Sequence, residues 1–162
     1  MKVDNAQMSS GFTLVELIMV IILIGILSAL GVGLFTRSSA FSPLLVTQQL
    51  QSATLLAQQA ALAGNPVNSI TIEPKAGSLE FTAGGSTFSI DSNGASIAYR
   101  RLKQSTTFTQ IVSAYTIGFG NMGWVETPNA RDSTEFRISG DTTYFVCLSS
   151  LGAVYQGKCD GS

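Results

Sequence analysis

The feature that most constrains this chain is a run of 24 residues, Phe12 to Phe35, that holds a single charge, Glu16. As a helix rising ~1.5 Å per residue it would be ~36 Å long, enough to cross a hydrocarbon core of ~30 Å. Lipid or other apolar helices can cover such a rod; water cannot. The residues ahead of it, MKVDNAQMSSG, are polar, end in Gly11, and offset Lys2 with Asp4. A secretory signal peptide cut near Ser28-Ala29-Leu30-Gly31 would want a basic start, a shorter apolar run and no carboxylate inside it. A plain membrane anchor would leave Glu16 unexplained, because a carboxylate in mid-bilayer costs roughly 2.5–3.5 kcal/mol, and less near an end.

The residues at the lip of the run support a third reading. Gly11-Phe12-Thr13-Leu14-Val15-Glu16-Leu17-Ile18 resembles the prepilin signature of the type IV pilin-like family. That resemblance implies a membrane peptidase that cuts between Gly11 and Phe12 and methylates the new Phe12 amine. It divides the chain into a leader, 1–11, a transmembrane and filament-core helix, 12–36, and a globular head, 37–162. The implied partners are the prepilin peptidase/methyltransferase, inner-membrane lipid, the inner-membrane assembly platform and other pilin subunits met through the N-terminal helix. The leader would stay in the cytoplasm and the head would face the periplasm, before transfer to an extracellular filament. Glycine before the cut lets the backbone enter a peptidase cleft with no side-chain clash.

Glu16 then needs a cationic partner. One choice is the Phe12 ammonium of a neighbouring subunit, which would set axial register; the other is the chain's own Phe12 amine, one turn away. Gly25, Ala29 and Gly33 recur every four residues and share a face. Small residues so placed let apolar helices approach closely, or they merely soften the helix.

Past the stem, the stretch from Arg37 to Pro43 predicts a kink or break, with Ser42 as N-cap and Pro43 at the first helical position. An amphipathic helix, 43–63, follows. Its stripe is Val46, Leu50, Ala53, Ala57, Ala60 and Ala61, with Leu55, Leu56 and Leu62 widening the buried surface. Gly64-Asn65-Pro66 ends it. The rest alternates as strands: 67–73, 79–82, 87–90, 96–102, 108–118, 135–139, 143–148 and 153–156, with a hairpin at Ala83-Gly84-Gly85-Ser86. With no helical pattern between them, the expected fold is α+β, a long N-terminal helix on an antiparallel sheet, as in a pilin head.

Composition narrows the function. The charged fraction is 12 %, about half the usual share for a soluble domain. Net charge is −1, so no global positive field attracts nucleic acid. The chain has no histidine, which removes the commonest general base and metal ligand. It shows no phosphate loop, nucleophile elbow or metal-spaced cluster, so neither an enzyme nor a cofactor is expected. The acids of the head, Asp132 and Glu135 among them, read as solvated surface, and Met122 and Trp124 as packed under a sheet edge. Arg100, Arg101 and Lys103 form a basic cluster, with Tyr99 and Tyr115 as aromatic neighbours. It is a candidate surface for DNA or an anionic glycan, or a strand edge guarded by charge.

Cys147 and Cys159 would be free thiols in the cytosol and paired in an exported head. The pilin resemblance selects the second, a Cys147–Cys159 disulfide. The segment Arg37 to Phe41, the glutamine-rich helix, Ile117-Gly118-Phe119 with Gly123, and Cys147, Gly152 and Cys159 resemble the GspH/FimT group of minor pilins and pseudopilins. Within that group the likeness extends to the minor pilins of mannose-sensitive haemagglutinin (MSHA) pili, which serve in surface attachment.

Overall fold

The computed structural model describes residues 12–35, 42–128 and 130–159, with the side chains of 30–35 outside that description. The chain divides into two compact units, 1–37 and 38–162. The first contains helix α1, Leu14–Phe35. Every described side chain of α1, from Leu14 to Ala29, is exposed. This is the expected outcome for a helix that is apolar all round: it has no polar side to turn outward and needs a non-aqueous covering.

The second unit opens with α2, Ser42–Leu62, and continues as strands β1 (Ser69–Lys75), β2 (Ser78–Ala83), β3 (Ser86–Asp91), β4 (Ser96–Arg101), β5 (Thr109–Gln110), β6 (Tyr115–Phe119), β7 (Val125–Thr127), β8 (Thr134–Ser139), β9 (Thr143–Leu148) and β10 (Val154–Gln156). The fold is α+β and every strand pair is antiparallel. The strands form two sheets where one was expected, ordered β3-β2-β1-β6-β7 and β10-β9-β8-β4-β5.

The difference arises at 108–118, expected as one strand. β5 pairs with β4 in the second sheet and β6 with β1 in the first, so the chain changes sheets between them. The alternation fails there: Ile111 is buried, while Val112, Ser113 and Ala114 in succession are exposed, a pattern no single pleated strand can produce. Strand β7 was not expected; it is three residues long, with one buried side chain, Val125. The β2–β3 hairpin is as expected. Gly84 and Gly85 both take positive φ, 56° and 83°, which a tight two-residue turn between twisted strands requires.

Helix α2 packs on strands of both sheets. Val46, Leu50, Ala53, Ala57 and Ala61 are buried against Ile70, Ile72 and Phe81 of the first sheet and Ile97, Phe136, Ile138 and Val146 of the second. The flanking seats belong to Thr47 and Thr54, both buried, whose hydroxyls donate to Pro43 O at 2.7 Å and Leu50 O at 2.6 Å. A threonine can be buried this way because its one polar atom bonds within the helix. Leu55 and Leu62, expected in the core, are 45 % and 58 % exposed, and Ala60 is only half-buried. Two sheets seat a stripe one threonine wider than the alanine row, and the leucines fall beyond it. Leu55 instead lines an open groove with Leu56 and Phe88.

Ser42 begins the helix, but its hydroxyl donates to the carbonyls of Ser92 and Asp91, fastening the start of α2 to the end of β3. The kink expected at 37–41 lies outside the described residues. Tyr99 of the second sheet stacks on Tyr115 of the first with ring centroids 4.0 Å apart. Burial pushes the Tyr115 phenol up to about 12, with the nearby Tyr99 adding to the shift. These two rings join the sheets.

Candidate functional site

At the start of α1 the chain makes a closed set of hydrogen bonds. Thr13 O accepts from Leu17 N at 3.2 Å, so Thr13 is the N-cap. Its hydroxyl oxygen accepts from Glu16 N at 3.3 Å. The Glu16 carboxylate reaches back, and Oε2 accepts from Thr13 N at 3.0 Å and from Thr13 Oγ1 at 2.9 Å. This is a capping box: a threonine and a glutamate three residues on satisfy each other's backbone amides. Thr13-Leu14-Val15-Glu16 is its sequence pattern, a signal overshadowed by the cationic partner that a carboxylate in an apolar run calls for. Before any neighbour arrives, Glu16 is held by its own helix, with Phe12 exposed beside it.

This places a fixed carboxylate in the first turn of an apolar rod, at the end where a helix favours negative charge. Gly11 and the residues before it lie outside the described residues.

Residues 7–32 match the prokaryotic N-terminal methylation motif. The motif is that of type IV pilin-like proteins, pseudopilins included, and it implies processing by prepilin peptidase and assembly with other pilins. Gly11, Phe12, Thr13 and Glu16 all fall within the matched segment, as do Gly25 and Ala29. The match ends three residues before the end of α1 and reaches none of the second unit. No curated protein and no solved structure matches the chain.

Further along α1, the methylation-motif segment keeps its small-residue face open. A Cβ built on Gly25 would meet nothing within 4 Å, and Ala29 is exposed. Gly33 lies in the same helix, past the last described side chain. Among the described residues no helix is long and apolar enough to cross a membrane; those with described side chains reach only Ala29. The α1 backbone itself continues to Phe35, 22 residues in all.

In the head, Cys147 and Cys159 form the expected disulfide, with Cα atoms 4.9 Å apart. The bond has a role that spacing alone did not reveal. Cross-strand neighbours on one sheet face run Arg100, Glu135, Cys147, Tyr155 across β4, β8, β9 and β10. Glu135 is fully buried. It pairs with Arg100 Nη2 at 3.2 Å and accepts from Cys159 N at 2.9 Å. The disulfide therefore holds the C-terminal segment over a buried ion pair. Glu135 was expected on the surface, and so was Asp132, which is also buried and accepts from Lys103 N at 3.2 Å. A buried carboxylate needs such partners, since an isolated one costs several kcal/mol. Replacing both cysteines with serine is expected to lower head stability by about 2–4 kcal/mol through loop closure alone. The check is a denaturant midpoint for oxidised wild type against the double variant.

The basic cluster read from sequence is dispersed. Arg100 is engaged by Glu135, and its guanidinium lies 5.0 Å from the centre of the Phe108 ring. Arg101, next along the strand, points to the opposite face. Lys103 Nζ donates to Arg131 O at 3.0 Å, in the loop before β8. Met122, expected under a sheet edge, is 67 % exposed. Trp124 is half-buried with the Arg131 guanidinium 4.8 Å above its ring.

Proposed function

We propose that the chain is a minor type IV pilin of the GspH/FimT kind, most like the MSHA pilus subunit MshC. It enters the inner membrane through 12–36, loses 1–11 by cleavage after Gly11, carries a methylated Phe12, and joins or initiates a filament used in surface attachment. The observation that supports the pilin part of this reading is Glu16, a carboxylate kept in the first turn of an otherwise uncharged stem; the GspH/FimT part rests on the resemblance of Ile117-Gly118-Phe119, Gly123, Cys147, Gly152 and Cys159. The 22 residues of α1 span ~33 Å, enough for a hydrocarbon core. The Thr13 bonds engage Oε2, and a neighbour's Phe12 ammonium would complete the carboxylate through Oε1. Gly25, Ala29 and Gly33 supply the face on which stems approach. The Cys147–Cys159 bond suits a head that folds in the periplasm.

The deciding experiment is intact mass of the chain recovered from sheared surface filaments. The expected mass is that of residues 12–162 with one added methyl group and two protons missing for the disulfide. A recovered chain that retains Met1 ends the proposal. A processed chain absent from surface filaments but present with a secretion pseudopilus would instead make it a type II secretion pseudopilin.

A further inference from the structure

The outer face of the second sheet carries a set of cations that neither the stem nor the core explains. Cross-strand partners share a face. Arg137 therefore stands beside Ala98 and Phe145, one row from Arg100, Glu135, Cys147 and Tyr155. The loop before β5 brings Phe108 over this face. The Arg100 and Arg137 guanidinium groups lie 5.0 and 4.7 Å from the centre of its ring. Phe108 and Phe145 meet at a tilt, centroids 6.1 Å apart, and Lys158 Nζ lies 5.0 Å from the Phe145 centre.

The bases of this chain are unevenly spread. Of nine Lys and Arg in the chain, Arg100, Arg101 and Arg137 lie on strands of the second sheet, Lys103 in the β4–β5 loop, Arg131 in the loop that leads into β8, and Lys158 just past β10. Two acids of the same region are withdrawn, Glu135 and Asp132, both buried, with Glu135 matched by Arg100, while Asp141 is exposed. Among the described residues, no carboxylate is within ion-pair distance of Arg137 or Lys158. Asp141 sits in the β8–β9 turn, and Asp160 lies outside the described residues.

Two exposed cations held over aromatic rings are partly pre-ordered, so less side-chain freedom is lost when an anion binds. The rings are not bare. A nucleobase stacking on Phe108 would compete with the two guanidinium groups already at its ring, which disfavours single-stranded nucleic acid. Tyr155, exposed on the edge strand β10, offers an amphipathic ring on the same sheet face as Arg137. A sugar ring bearing an anionic group suits that combination.

We infer that the outer face of the second sheet binds an acidic polysaccharide, with Arg137 and Lys158 taking its carboxylate or sulfate groups and Tyr155 its sugar ring. The inference does not depend on the assembly role of the stem. The test uses the full processed chain in neutral detergent, with immobilised polygalacturonate as carboxylate probe, heparin as sulfate probe, neutral dextran, and a thymidine oligonucleotide of matched charge. Binding to one or both acidic polysaccharides and none to dextran is expected. It should weaken by about tenfold or more as salt rises from low to high, because exposed ion pairs are screened. Arg137→Gln with Lys158→Gln should weaken it by about tenfold. Arg101→Gln with Lys103→Gln should change it less than about twofold, since those side chains face elsewhere. Thermal melts of both double variants exclude misfolding. Phe108→Leu, which keeps both charges and removes the ring that orders Arg137, should give an intermediate loss. The inference is overturned by unchanged affinity in the Arg137/Lys158 variant, by binding to dextran, by binding to neither acidic polysaccharide, or by tighter binding to the oligonucleotide than to either of them.

Discussion

A Gly11→Val chain should accumulate in the membrane at precursor mass, with mature product falling to background. The reason lies in the backbone. A peptidase must lay the scissile bond across its catalytic groups, and at Gly11 no side chain hinders that approach. Valine puts a branched Cβ there and stiffens the residue as well. Alanine adds one methyl group and should slow cleavage without abolishing it. Neither change touches the run from Phe12 to Phe35, so insertion should proceed normally and the defect should be confined to processing. The measurement is gel mobility with intact mass of the membrane fraction. Equal mobility of the Gly11→Val protein and mature wild type would show that a side chain at position 11 does not block cleavage and would overturn the prediction.

The stem and head differ in how much of them could be read from residues. The stem was legible because its signal is strong: one carboxylate in a membrane-length run, with glycine and phenylalanine at fixed offsets, the same segment the methylation motif matches. The hairpin at Gly84-Gly85, the helix at 42–62 and the ends of β9 were legible for a similar reason, since turn chemistry and periodicity are local. The second sheet was not. Which strand pairs with which is settled by contacts far apart in sequence, and the sheet change at Val112 shows only as a lapse in alternation. Leu55 and Leu62 were assigned inside because periodicity counts apolar residues and cannot count the seats the sheets provide. Thr47 and Thr54 took those seats by bonding within the helix. Arg100, Arg101 and Lys103 made a cluster only along the chain. In space, β-strand alternation separates the first two, and Phe108 gathers Arg100 with Arg137 from another strand.

Glu16 now has two roles to separate, cap and docking group, and three substitutions separate them. Glu16→Val removes both. Insertion should survive, because the stem only becomes more apolar. In the filament the neighbour's Phe12 ammonium would be left unpaired among apolar helices, costing about 3–5 kcal/mol. At 1.4 kcal/mol per tenfold, that lowers docking by roughly a hundred- to several-thousand-fold. Thr13→Val removes the hydroxyl that accepts from Glu16 N and donates to Oε2, while the charge stays. Loss of a cap costs about 1 kcal/mol, so incorporation should fall only several-fold. Glu16→Gln is the decisive case. Its amide oxygen can still accept from Thr13 N, where Oε2 now accepts at 3.0 Å, but it offers the neighbour's ammonium no negative charge. If Glu16 serves mainly as a cap, Glu16→Gln should assemble nearly as well as wild type and Glu16→Val no worse than Thr13→Val. If it serves docking, both Glu16 variants should be lost from sheared filaments while Thr13→Val is retained. We expect the second pattern, because the bond back to Thr13 N needs only an acceptor, and glutamine supplies one without carrying a charge into the membrane.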